Sequence, residues 1–225
     1  MNFLSHYYLH RNEDDNYLNI GLTLPDVLGL HNSRVRLSER FISEIEINDD
    51  KTESLINGVK LHLNLDKYFH KSDFFKEKVN FIQVEYLKAS GEENIAIYYA
   101  HILLEILIDR YLLIKYPNIA KEFYSSYKDF DFNDIVGIFL NLKNFDSYKF
   151  IEFTKKLAYS DFLYRYTDNF AVISSLKRVT TLIGLPIEIT TDERVIANFI
   201  GSAYLNLEKS ISKLFKDLKK INFLE

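Results

Sequence analysis

Apolar residues recur along this chain at steps of three and four, the spacing that gathers side chains onto one face of an α-helix. The stretch from Thr52 to His70 shows it well, with Leu55, Val59, His62, Asp66 and Phe69 on one inward-facing stripe. From the helix-start residue Asp192 onward, Ile200, Tyr204, Leu207, Ile211, Leu214, Leu218 and Ile221 alternate steps of four and three. Such a stripe packs against a bundle or against a second copy of the chain. The stretch Asn94 to Lys115 differs, because it is apolar on nearly every side, as a central core helix is, yet carries His101 and Glu105 in its middle. Shorter helices are expected at Leu37 to Ile47, Ser72 to Ala89, Ile119 to Lys128, Asn133 to Leu142 and Ser147 to Ala158; Phe3 to His10, if helical, sets His6 and His10 on one face, and Ser160 to Thr181 forms a longer segment. Pro25 interrupts the apolar run from Tyr17 to Gly29, so a break or kink is expected at Leu24. The alternation Ile187-Glu-Ile-Thr is too brief to establish a strand. With no linker in sight, the pattern predicts one all-α domain, a helical bundle over residues 1–225.

Composition narrows the chemistry. Gly (7) and Pro (3) are too few for a many-turned β-sandwich, and 47% apolar content supplies a sizeable core. The absence of Cys removes disulfides, thiolate metal sites and a cysteine nucleophile. Charged residues inside the Ile95 to Ile114 run argue against a membrane span, and the amino terminus lacks the pattern of a signal peptide, so a cytoplasmic protein is expected. A formal net charge of −4 with interspersed signs gives no field that would draw nucleic acid. The many Phe and Tyr residues then read as core packing, not as base-stacking platforms.

The candidate chemistry lies in nitrogen and oxygen donors placed within apolar surroundings. His101 and Glu105 are four apart on one helix face, as are His62 and Asp66. A carboxylate in such surroundings needs a cation, a metal or a hydrogen-bond network. His70, two turns beyond His62, reads as a helix end, and Asp26 beside Pro25 reads as a helix-start carboxylate. Together His6, Asp26, His62, Asp66, His101 and Glu105 make a ligand set suited to Mn²⁺, Fe²⁺ or Zn²⁺ more than to Ca²⁺. Core hydrogen-bonded His–carboxylate pairs are the competing reading of the same spacing. The exposed-looking lysines of the last helix, Lys209, Lys213, Lys216, Lys219 and Lys220, read as a solvated face.

Five segments in order carry a resemblance. Met1-Asn-Phe-Leu-Ser-His6 resembles the Met-Asn-Phe-Leu-Ala-His opening of acyl carrier protein phosphodiesterases, and Gly21-Leu-Thr-Leu-Pro-Asp26-Val-Leu-Gly resembles their Gly-Asn-Leu-Leu-Ala-Asp-Phe-Val segment. Gly58-Val-Lys-Leu-His62-Leu-Asn-Leu-Asp66 is similar to their Gly-Ile-His-Met-His-Arg-Arg-Ile-Asp. The central helix lines up with Asp-Val-x-x-Asp-His-Phe-Leu, and Phe162-Leu-Tyr-Arg165-Tyr166-Thr-Asp168 with Trp-Leu-x-Arg-Tyr-x-Asp. The chain departs from that pattern at Lys60, Leu63, His101, Glu105 and Ile106. The resemblance implies an HD-like helical fold and a divalent metal, typically Mn²⁺. It also implies hydrolysis of the phosphodiester that joins 4′-phosphopantetheine to holo acyl carrier protein. In that reading Asp26, His62, His101 and Glu105 hold one or two ions, with His6 and Asp66 beside them. Lys60 or Arg165 neutralises the phosphate, and Lys67, Lys71 and Lys76 steer the acidic carrier protein. For Arg165 an internal salt bridge to Asp168 or Glu105 is an equal alternative. Another small phosphodiester as substrate, or a non-catalytic interaction protein dimerising through its last helix, are the rival expectations.

Overall fold

The structure, a computed structural model, describes residues 1–91, 97–182, 184, 189 and 191–223. Among these residues it is all helical, as the spacing predicts. The eleven α-helices are α1 (Phe3–His10), α2 (Asn16–His31), α3 (Glu39–Ser43), α4 (Asp50–Lys71), α5 (Asp73–Ser90), α6 (Ile97–Lys115), α7 (Ile119–Lys128), α8 (Asn133–Val136), α9 (Ser147–Ala158), α10 (Asn169–Leu182) and α11 (Glu193–Leu218). Two 3₁₀ turns, Gly137–Phe139 and Tyr164–Thr167, complete the regular structure. Residues 94–96 of the expected central helix and most of the 187–190 alternation lie outside the described residues.

Boundaries follow the capping chemistry. The side chains of Asp15, Ser72, Asp146, Asp168 and Asp192 each accept a backbone N–H at a helix start. Gly91 ends α5 in the left-handed conformation, at φ 70°, that glycine adopts without steric cost. Tertiary context decides three segments. The Leu37 to Ile47 helix shrinks to Glu39–Ser43, where Ile42 alone is buried; a helix this short, without an apolar face to dock, does not propagate. The segment from Ser160 breaks at Asp168, whose backbone is extended so that its carboxylate caps α10. Pro25, expected to break or kink the helix at Leu24, does not break it: it sits inside α2. Asp26 is therefore a mid-helix residue and not a helix-start carboxylate.

The helices gather into two compact units, neither of them a continuous stretch of chain. The His62 unit comprises Phe3–Lys67, Asn118–Asp161 and Asn222–Glu225. In it α1 packs on α2 and α7, and α2 packs on α7 and α9. Its core includes Leu4, Ile20, Leu24, Leu55, Phe123 and Phe150. Two buried hydroxyl pairs, Thr23 with Tyr127 at 2.7 Å and Tyr7 with Ser126 at 3.2 Å, tie α2 and α1 to α7. Where α2 crosses α4 the backbones nearly touch, because Gly21 and Gly58 lack side chains; a Cβ on Gly58 would lie 2.9 Å from the Gly21 Cα.

The His101 unit comprises Met1–Asn2, Tyr68–Pro117 and Phe162–Ile221. Here α11 lies on α5, α6 and α10, and α5 and α10 also contact α6. The stripe from Ile200 to Leu218 is buried in these contacts, so within this unit it packs against its own bundle. The lysines of α11 face outward, as expected. No helix among the described residues is long and apolar enough to cross a membrane.

Candidate metal centres

A backbone carbonyl of α2 anchors the first centre: that of Leu22 accepts a hydrogen bond from His62 Nδ1 at 2.8 Å. That bond places the ring proton on Nδ1 and leaves the Nε2 lone pair facing inward, as the partner groups of metal-bound histidines do. His62 is fully buried, and burial, followed by the neighbouring His6, pushes its pKa down to about 3, so the ring is a neutral donor. Its Nε2 lies 3.7 Å from Asp26 Oδ1. A lone pair turned toward a carboxylate is repulsive unless a cation lies between them.

His6, on α1, stacks on His62 with ring centroids 3.7 Å apart and planes at 19°. Its Nε2 lies 3.3 Å from Asp66 Oδ1. The His6 and His62 rings and the Asp66 carboxylate present ligand atoms all within 4.8 Å of one another, a group that can hold a metal ion. Burial alone would raise the Asp66 carboxyl, but nearby positive charge, and after it the hydrogen bond from His6, hold it well below the usual carboxylate range. Asp26 touches His62 and stands outside this group of three. The donor chemistry fits a divalent transition metal, since it combines neutral imidazole with ionised carboxylate.

The second centre forms in the His101 unit. His101 Nε2 and Glu105 Oε1 are 2.9 Å apart, one helical turn along α6. His70, in the last turn of α4, brings its Nε2 to 2.9 Å from His101 Nε2 and 3.3 Å from Glu105 Oε1. These three residues make another group that can hold a metal ion. Phe75 meets both imidazoles edge-on, at 4.9 Å from each ring centroid, and fixes their planes. Burial would raise the Glu105 carboxyl, but the Met1 amine 3.0 Å from Oε1 and the two imidazoles overturn that and hold it well below its ordinary value.

The structure thus sorts the expected ligands. It joins His6, His62 and Asp66, with Asp26 beside them, and separately joins His101 and Glu105 to a residue read as a helix end. His70 carried a usable signal, because it continues the steps of four from His62 and Asp66 along α4. Lys60 is exposed and two residues from His62, which turns it roughly 200° away around the helix; it does not join the His62 group. Arg165 is exposed in the 3₁₀ turn that packs on α6. A guanidinium engaged inside that unit is Arg110, which donates to Asn169 Oδ1 at 2.5 Å and lies 4.8 Å from the Tyr204 ring.

Among the described residues, fold and donors together define an all-helical protein with two groups of two histidines and one carboxylate. Compared with protein-family models, curated proteins and solved structures, the chain shows no significant match to any of them.

Proposed function

We propose that this chain is a divalent-metal-dependent phosphodiester hydrolase, acting on the phosphodiester that links 4′-phosphopantetheine to holo acyl carrier protein. The reading rests on one observation: a buried His62 held by a backbone carbonyl, its free nitrogen turned toward Asp26 and its ring stacked on His6. The ordered resemblance in five segments supplies the substrate. A bound divalent ion, Mn²⁺ by that resemblance and Fe²⁺ or Zn²⁺ by donor type, supplies a water of lowered pKa and a Lewis acid for the phosphoryl oxygen. The protein's own part is to hold donors. His62 offers Nε2, while Asp66 and Asp26 bring negative charge and hydrogen-bond acceptors for a water. His6 shields one face of the His62 ring. Arg165 belongs to the other unit and is not placed at this site. Lys60, turned off the site, is not assigned a role.

The test is incubation of the purified full chain with holo acyl carrier protein and Mn²⁺, read by mass spectrometry. The expected result is a carrier protein lighter by its phosphopantetheine arm, with no loss when a chelator is present. Cleavage of small phosphodiesters alone would reject the carrier-protein assignment. No cleavage of either, with metal bound, would reject the hydrolase.

A further inference from the structure

The contacts among His70, His101 and Glu105 cannot all be satisfied by protons. Three atoms, two imidazole Nε2 and one carboxylate oxygen, approach each other pairwise at 2.9, 2.9 and 3.3 Å. If both nitrogens carry hydrogen, each can donate to Glu105, but then N–H faces N–H across the 2.9 Å gap. If only one carries hydrogen, the other nitrogen turns a lone pair on the carboxylate. With the Glu105 carboxyl ionised, every protonation state of the two rings leaves one side of the triangle with like facing like, and such a contact in partly buried surroundings is costly. A cation at the centre resolves all three contacts at once. Atoms with these separations all lie about 2.1 Å from a common point just above their plane, the bond length of divalent transition metals to nitrogen and oxygen.

The surroundings suit an ion. The side chains of His70 and His101 are 31% and 29% exposed, which leaves an approach from solvent, while Glu105 is mostly buried. Phe75 holds both rings without taking a donor atom. The Met1 amine uses the same Glu105 oxygen, but a carboxylate oxygen has two lone pairs and can serve both.

We propose that His70, His101 and Glu105 form a transition-metal site complete within the His101 unit, distinct from the His6, His62 and Asp66 group, so that each chain binds two ions. It rests on the metal-binding half of the proposed function and not on the hydrolytic half. Two imidazoles and one carboxylate select Mn²⁺, Fe²⁺, Co²⁺ or Zn²⁺ over Mg²⁺ and Ca²⁺, which prefer all-oxygen shells.

The experiment strips the full chain with chelator, dialyses it against Co²⁺ and counts bound cobalt by elemental mass spectrometry. Wild type is expected to hold two equivalents, and His70→Ala, His101→Ala and His62→Ala one each. Helical circular dichroism reports folding, and Glu105→Gln, which keeps the side-chain volume, replaces any alanine variant that fails to fold. A wild-type chain with one equivalent or none overturns the proposal, as does a His70→Ala chain that keeps both. Displacement of cobalt from the His101 unit by a hundredfold excess of Mg²⁺ would also overturn it. Two bound ions without phosphodiester cleavage sink the hydrolase reading alone, whereas cleavage by a chain binding one ion sinks this one alone.

Discussion

A histidine kept neutral by burial makes folding depend on pH, and in the His62 unit the partly buried His10 and the fully buried His62 are such rings. Burial, with His6 adding to it, brings His10 down to about 4, and the same causes bring His62 to about 3. Both values lie below the ordinary 6.5, so the unfolded chain takes up protons that the folded chain refuses. The stability held by the neutral rings is complete above about pH 6.5 and drains as pH falls toward 4 and then 3. His10 alone accounts for roughly 3 kcal/mol across that range. Urea midpoints measured in chelator at pH 7.5, 6, 5 and 4 should fall steadily, and His10→Phe should flatten the upper part of the curve. Midpoints level between pH 7 and 4.5 would mean that these rings are solvated. The pH effect, like the grip of His62 on the Leu22 carbonyl, was not legible in the sequence, which shows spacing along one helix but not which carbonyl a ring will meet on another. His62 with Asp66 and His101 with Glu105 were legible because each pair lies within one helix. His70 does end α4, as read, but its contacts were not legible because its partners are on α6, thirty-one and thirty-five residues away.

At the scale of elements, the first centre depends on how closely α2 approaches α4. Helix α2 carries Asp26 and the Leu22 carbonyl, α4 carries His62 and Asp66, and the two meet backbone to backbone at Gly21 and Gly58. A Cβ on Gly21 runs into the Leu55 carbonyl, and one on Gly58 into the Leu18 carbonyl; neither obstacle is a flexible side-chain end. Gly58→Ala therefore has to force the helices apart, at a cost of about 3 kcal/mol, and to lengthen the His62–Leu22 bond. Gly201 is the control. Its Cβ would meet only the Asn169 side chain, at 2.9 Å, and alanine gains roughly 1 kcal/mol of helix propensity there. Urea denaturation should show a large loss for Gly58→Ala and a change within about 1 kcal/mol for Gly201→Ala. Equal effects would show that the crossing is loose. The sequence offered Gly21 and Gly58 only as members of family-like segments. Long periodic helices such as α4, α6 and α11 were readable from spacing, whereas the fate of Pro25 and of the Leu37 to Ile47 segment was decided by tertiary partners that spacing does not reveal.

For the molecule as a whole, the order in which the chain visits its two units sets how it can be divided. The His62 unit needs α1 to α3 and α4 up to Lys67 together with α7 to α9, and the His101 unit needs the last turn of α4, α5 and α6 together with α10 and α11. A cut after Pro117 strips α7, which packs on α1 and α2, from the first, and α10 and α11, which pack on α5 and α6, from the second. The buried side chains that lose a partner include Phe3 and Tyr7, which pack on Phe123, on one side and Tyr86 and Tyr111, which pack on Phe199 and Phe215, on the other. Each large side chain of this kind loses about 1.5 to 3 kcal/mol when uncovered, so a handful exceeds the 5 to 15 kcal/mol that holds a typical domain. Fragments 1–117 and 118–225, made separately, should therefore show no cooperative urea transition and should expose apolar surface to a hydrophobic dye. Mixed or co-expressed, they should recover the helical signal and a single midpoint, because every packing partner is present again. A fragment 1–117 that unfolds cooperatively alone would show that its helices reach a stable core without the later ones, and that the two units are not built from interleaved stretches.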